Sequence, residues 1–229
     1  MRSPFAIAAC HLLLAPAVTR AQVIPSAIDN LFKQVQGVAI YGSWGSFRET
    51  AAITSRRPRA YGFELIIDLN PQGPTNKDWS FELGLGFDYL KGFGAKEPTL
   101  DLRGALRSLP TVSGYASAPA WHGLSLYGGV STGFVQLWNA RGYDPNGTPY
   151  PVGGETVQIG GSLGVYQQIG IFVEVSRHYR EIRSLEWTLP AGTTALPPNW
   201  PRSLDLTGNF ITIGYQFGRP SSNGERGSR

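Results

Sequence analysis

The chain has 229 residues, of which 29 are glycine and 17 proline, with 41% hydrophobic residues, one cysteine and a formal net charge of +4. That glycine and proline load suits an all-β chain rich in turns and argues against a helical bundle. A lone cysteine excludes a disulfide framework and a thiolate metal site. Basic residues scattered singly, without a basic helix or an RNA-binding motif, exclude nucleic acid as the partner.

Arg2, the apolar stretch from Phe5 to Val18 and the small residues around Thr19-Arg20-Ala21 read as a signal peptide over residues 1–21, cleaved after Ala21. The stretch is shorter than the roughly 20 apolar residues that a spanning helix needs. Ile7-Ala8-Ala9-Cys10 resembles a lipoprotein cleavage box, but Leu12-Leu13-Leu14 still follow it. Cleavage at Ala21 would remove Cys10 together with the positive charges of Arg2 and Arg20. Residues 22–36 form a lead-in. Ile28, Leu31, Phe32 and Val35 have helical spacing behind Ser26 as a candidate N-cap, so a short amphipathic helix and an irregular segment both fit.

Eight strand-like segments follow over residues 37–218. The first runs from Gly37 to Phe47. The second, Ala60 to Leu69, has Tyr61, Phe63, Leu65, Ile67 and Leu69 on one wall and Glu64 and Asp68 on the other. The third, Trp79 to Leu90, shows the clearest beat in the chain. Every odd position from Trp79 to Tyr89 is apolar or aromatic, and every even one is polar, charged or glycine. Successive strand side chains alternate faces, so Phe81, Leu83, Leu85 and Phe87 are expected to face lipid, and Glu82 and Asp88 a polar lumen.

The fourth segment, Leu100 to Leu109, is read with Leu100, Leu102 and Leu106 outward and Asp101, Arg103 and Arg107 inward. The fifth, from His122 to about Trp138, is long enough to extend past a bilayer. The sixth, Thr156 to Gln167, alternates Val157, Ile159, Leu163 and Val165 with Gln158, Ser162 and Tyr166. The seventh starts at Gly170, with Ile171, Val173 and Val175 outward and Phe172, Glu174, Ser176 and His178 inward. The eighth, Thr207 to Phe217, carries Ile211, Ile213, Tyr215 and Phe217 on one side.

Eight is the minimum for a closed transmembrane barrel, and an even count puts both termini on one face of the membrane. Gln167 to Gly170 reads as a tight turn. Residues 139–153 and 182–203, rich in proline and glycine, read as outer loops and as the surfaces for an extracellular ligand. Residues 70–78 and 110–120 are long for the opposite face. Residues 219–229 read as a disordered tail.

These features together resemble the small outer-membrane β-barrel proteins of Gram-negative bacteria, the OmpA/OmpX-like superfamily. The resemblance implies an eight-stranded antiparallel transmembrane β-barrel, with the lead-in in the periplasm and the outer-membrane lipid as solvent. It also implies that Ile213, Tyr215 and Phe217 carry the last-strand signal read by the barrel-assembly machinery, although twelve residues follow Phe217 here, 218–229. No cofactor or metal is expected.

In so narrow a lumen Glu64, Glu82 and Glu174 are expected to pair with Arg103 and Arg107, forming a salt-bridged plug. Ser176 and His178 invite comparison with the outer-membrane lipid A deacylases. Those enzymes, however, place His before Ser on the lipid-facing wall, whereas parity puts His178 in the lumen. Gly160 to Gly164 mimics a phosphate loop but no helix follows, so the strand reading stands. Trp44, Trp79, Trp121 and Trp138 lie near strand ends, where such rings settle at headgroup level. Trp187 and Trp200 fall in the last long loop. The expected function is structural, adhesive or minor permeation. The alternatives are a lipid A deacylase-like hydrolase and a soluble exported barrel that binds a hydrophobic ligand.

Overall fold

A computed structural model describes residues 35–48, 58–69, 79–97, 100–167, 169–197 and 199–218. The signal peptide, most of the lead-in, residues 70–78 and the tail lie outside the described residues. Twelve strands occur: β1 Val35–Phe47, β2 Arg59–Asp68, β3 Ser80–Glu97, β4 Leu100–Pro119, β5 Leu124–Tyr143, β6 Pro149–Gly153, β7 Glu155–Gln167, β8 Ile171–Tyr179, β9 Glu181–Ile182, β10 Glu186–Trp187, β11 Leu204–Asp205 and β12 Gly208–Phe217.

Eight of them close on themselves in the order β1-β2-β3-β4-β5-β7-β8-β12, and β12 returns to β1. The closing ladder is antiparallel and runs from Val38↔Phe217 to Phe47↔Gly208. No helix among the described residues is long and apolar enough to cross a membrane; the barrel consists of strands alone. The rim holding the start of β1 and the end of β12 also holds the connection 120–123 and the turn before β8, where Gly170 N–H donates to Gln167 O at 2.8 Å. There Gly170 has φ 102°, a left-handed conformation that glycine adopts without strain. The opposite rim carries β6, β9, β10 and β11.

Three strands are far longer than a bilayer requires: β3 has 18 residues, and β4 and β5 have 20 each, against roughly 9–11 for a tilted span. The stretch 110–120, expected as a connection, is the lower half of β4. Its turn is only 120–123. Residues 139–153 complete a β5–β6 hairpin, with Arg141↔Pro151 and Tyr143↔Pro149 in register.

Polarity divides the barrel into two zones. Near the turn rim the outer face is apolar, carrying Ile40, Phe63, Phe81, Leu126, Val130, Leu163, Val173, Val175, Ile211 and Ile213, all well exposed. Near the loop rim the inside is apolar instead. Phe47, Leu90, Phe93, Leu100, Leu102, Leu106, Val135, Leu137, Ile182, Trp200, Leu204, Leu206 and Phe210 form one buried cluster.

Strand β4 crosses this boundary, and the expectation for its upper part, Leu100 to Leu109, is overturned. Leu100, Leu102 and Leu106 point inward, and Leu102 is only 1% exposed. Arg103 points outward and is exposed, and Arg107 lies on the same wall, half-buried. Two physical causes combine. Near the loop rim a loop-covered core lies inside the barrel, so apolar residues turn in. A register shift between Ser108 and Thr111, where exposed Leu109 and Pro110 bulge out, also reverses the parity of β4. Below the bulge Thr111, Ser113, Tyr115 and Ser117 face in; above it Leu102, Leu106 and Ser108 do.

Candidate functional site

The polar lumen is built from pairs of neighbouring strands, one offering a large side chain and the next a glycine. On β2 Glu64 swings across Gly84 of β3, where a β-carbon would overlap its carboxylate. Tyr41 of β1 lies over Gly62, Tyr115 of β4 over Gly129, Tyr127 of β5 over Gly164, and Phe172 of β8 over Gly214. Eight strands leave an interior just wide enough for side chains, so the bare glycine faces are what make room.

The carboxylates in this lumen are held by hydroxyls rather than by arginines. Tyr115 Oη donates to Glu64 Oε2 at 2.9 Å, and Tyr127 Oη donates to Glu174 Oε2 at 3.2 Å. Tyr41 Oη donates to Asp88 Oδ1 through a short bond. Ser43 and Thr212 share a hydrogen bond of 2.8 Å, and Ser80 and Ser117 one of 2.5 Å, tying further strand pairs together. A hydrogen bond to a charged group is worth about 1.5–3 kcal/mol, so each tyrosine offsets much of the cost of taking a carboxylate out of bulk water. Glu82 also lines the lumen, and the remaining free space is a narrow cavity of about 110 Å³.

The expected partners of these acids lie elsewhere. Arg103 bonds Asp101 at 2.5 Å on the outer wall and stacks on Tyr143. Arg107 donates through Nε to Gln136 Oε1 at 3.0 Å, and its guanidinium lies 3.9 Å from the Trp138 ring centre. Neither Arg103 nor Arg107 is ion-paired with Glu64 or Glu174 among the described residues. The cation that does face inward is Arg180, just past β8, only 5% exposed, with Nε donating to Gln158 Oε1 at 2.7 Å. The inward tyrosines share parity with serines, as in Ser113, Tyr115 and Ser117, and that signal was available in the sequence. Arg180 continues the inward parity of Phe172, Glu174, Ser176 and His178 one step past the end of β8, so its direction was available there too.

Other residues stand as follows. Phe81, Leu83, Leu85 and Phe87 all point to the outer face, and Glu82, Asp88 and Glu174 to the lumen. Ile213, Tyr215 and Phe217 are exposed on the outer face of β12, opposite Gly42, Ile40 and Val38 of β1. His178 Nε2 and Ser176 Oγ are 3.2 Å apart, both directed into the barrel, and His178 Nδ1 has no carboxylate behind it. Trp187 and Trp200 are not a free aromatic surface. Their ring centres are 4.9 Å apart, Trp200 packs on Tyr150 at 4.8 Å, and Trp187 Nε1 donates to Pro201 O at 3.1 Å. Together they cement the two loops into a cap.

A closed eight-stranded barrel, apolar outside and hydrogen-bonded inside, has the fold of the small outer-membrane β-barrel proteins. In fold the chain is similar to Neisserial surface protein A, at 11% identity and a TM-score of 0.50, over 80% of this chain and 96% of that one. It also aligns with the attachment invasion locus protein Ail of Yersinia pestis at 12% identity and a TM-score of 0.42, over 79% of this chain and 97% of that one. With the outer membrane protein OprG of Pseudomonas aeruginosa the figures are 13% identity, a TM-score of 0.43, and 80% and 97% coverage. No protein-family model matches the chain, and no curated protein matches its sequence.

Proposed function

We propose that this protein is a non-enzymatic, closed barrel of the outer membrane, structural or adhesive in role, with the turn rim in the periplasm and the capped rim outside. The reversal of polarity carries this reading. A water-soluble protein rarely exposes an apolar belt running from strand to strand, whereas a barrel in lipid requires one. The same observation weighs against a soluble ligand-binding barrel, in which the apolar face would line the cavity. A lumen filled by tyrosine–carboxylate pairs and closed above by an apolar plug supports little or no steady ion flow. That plug is aliphatic and aromatic, not the network of ion pairs expected from the charge pattern.

A hydrolase reading rests on Ser176 and His178 alone. Acyl transfer needs a histidine oriented by a third group and a serine facing its substrate, and this pair has neither. Under this proposal β12, through Ile213, Tyr215 and Phe217, is the segment engaged by the barrel-assembly machinery.

Membrane fractionation combined with gel mobility before and after boiling tests the proposal. The folded barrel should stay with the outer membrane and migrate faster until heated. Recovery in the soluble periplasmic fraction, with a single heat-independent band, would refute it.

A further inference from the structure

We propose that the outer wall of β2–β5 near the capped rim binds the phosphate groups of outer-leaflet lipid headgroups. The inference rests on the membrane reading above and adds a specific contact to it. Arg59 of β2 lies directly opposite Lys91 of β3, and Arg103 of β4 directly opposite Arg141 of β5. All four are exposed, and with Arg107 they form a patch of five cations spread over four adjacent strands.

Like charges facing each other across a ladder destabilise it. A chain free to place its few basic residues anywhere gains nothing from two such pairs side by side unless an anion sits between them. Among the described residues Arg59, Lys91 and Arg141 form no ion pair, and Asp101, bonded to Arg103, is the acid that reaches the patch. On the far side of the barrel Arg177 and Arg183 lie among Glu155, Glu181 and Glu186, and Arg183 is paired with Glu181 at 3.2 Å. Among the described residues that side is balanced, with Arg48, Arg177, Arg180 and Arg183 against Glu155, Glu181, Glu186 and Asp205, whereas the five cations of the β2–β5 wall gather around Asp101.

The height of the patch indicates the anion. Lys91 lies over the ring of Tyr61 at 5.8 Å, Arg103 over Tyr143 at 5.6 Å and Arg107 over Trp138 at 3.9 Å. Arg59 and Lys91 are one alternation above the outward pair Tyr61↔Tyr89. Outward aromatic rings settle at the level of the lipid headgroups, and cations propped on them meet the phosphates of those headgroups. A guanidinium presents a planar fork of donors that matches phosphate oxygens, and three of the five cations are arginines standing outside the Arg103–Asp101 pair.

Native mass spectrometry of the full chain folded in detergent micelles tests this. The micelles would contain equimolar phosphatidylcholine and bisphosphorylated lipid A, with dephosphorylated lipid A as the matched control. The wild type should retain the bisphosphorylated lipid at least about tenfold better than the dephosphorylated one. The variant Arg59→Gln/Lys91→Gln/Arg103→Gln/Arg141→Gln should lose that preference, while Arg177→Gln should keep it. The double variant Arg59→Gln/Lys91→Gln, expected to lose about threefold, keeps the test valid if the quadruple variant does not fold.

Equal retention by wild type and variants overturns the proposal. So does displacement of the lipid by millimolar inorganic phosphate, which would make the patch a site for free phosphate. Failure of the membrane reading is distinguishable, because the wild type would then show no heat-modifiable band. A heat-modifiable wild type without phosphate preference sinks this inference alone.

Discussion

The lower and upper halves of β4 obey opposite rules. Below Leu109 and Pro110 the strand turns Ser113, Tyr115 and Ser117 inward; above them it turns Leu102 and Leu106 inward and sets Arg103 and Arg107 outside. The strand is continuous, and the bulge at Leu109 and Pro110 reverses its parity where the surroundings of the wall change. Under the proposed membrane reading lipid surrounds the lower wall, so burial of apolar surface means facing out, and polar groups retreat to a lumen where hydroxyls satisfy them. Where water surrounds it, the ordinary rule returns. The loops then fold over the mouth, with Trp187, Trp200 and Tyr150 packed together beneath them.

Substitutions placed in each half can break or sharpen this contrast. The largest effect is expected in the capped half. Leu102→Ala opens a cavity in a site 1% exposed and should lower folding stability by about 2–5 kcal/mol in urea titrations from vesicles. If Leu102 faced lipid, as alternation alone suggests, the loss would be far smaller.

Next comes the belt, where Leu85→Arg should cost about 2–4 kcal/mol near mid-bilayer. A neutral result in the same titration would mean that water wets that wall. In the lumen, Gly84→Ala would push a methyl into the Glu64 carboxylate and should cost about 1–3 kcal/mol; Gly114→Ala, where a β-carbon meets nothing within 4 Å, is the matched control and should leave the midpoint in place. The smallest effect belongs to Arg103→Gln. An exposed cation bonded to Asp101 on the outer wall contributes little to folding, so the urea midpoint should not move. A large shift would return this arginine to the interior.

Much of this was legible in the sequence, and the limits have physical reasons. On β3 and β8 alternation alone placed Phe81, Leu85, Glu82, Val173 and Glu174 on the walls where they are found, because both strands keep their beat while crossing the belt. It failed on β4, since a period-2 reading carries no record of a bulge, and one extra residue reverses every wall beyond it. It failed again in what holds the carboxylates. Charge counting suggested arginine, but the partners are tyrosines two strands away, and no local spacing announces a contact such as Tyr115 with Glu64. The cap was hidden for a related reason. Short strands such as β9 and β11, of two residues each, leave no periodicity, and their pairing is decided by the core they cover.

The two-zone account is tested most directly by spin labels on single introduced cysteines at positions 85, 91, 102 and 103, in a Cys10→Ser background reconstituted into lipid vesicles. Relaxation by oxygen and by a water-soluble nickel chelate is then compared at each position. The account predicts that position 85 is open to oxygen and closed to nickel, that 91 and 103 are open to nickel, and that 102 is shielded from both. Nickel access at 85 equal to that at 103, or oxygen access at 102 equal to that at 85, would contradict it.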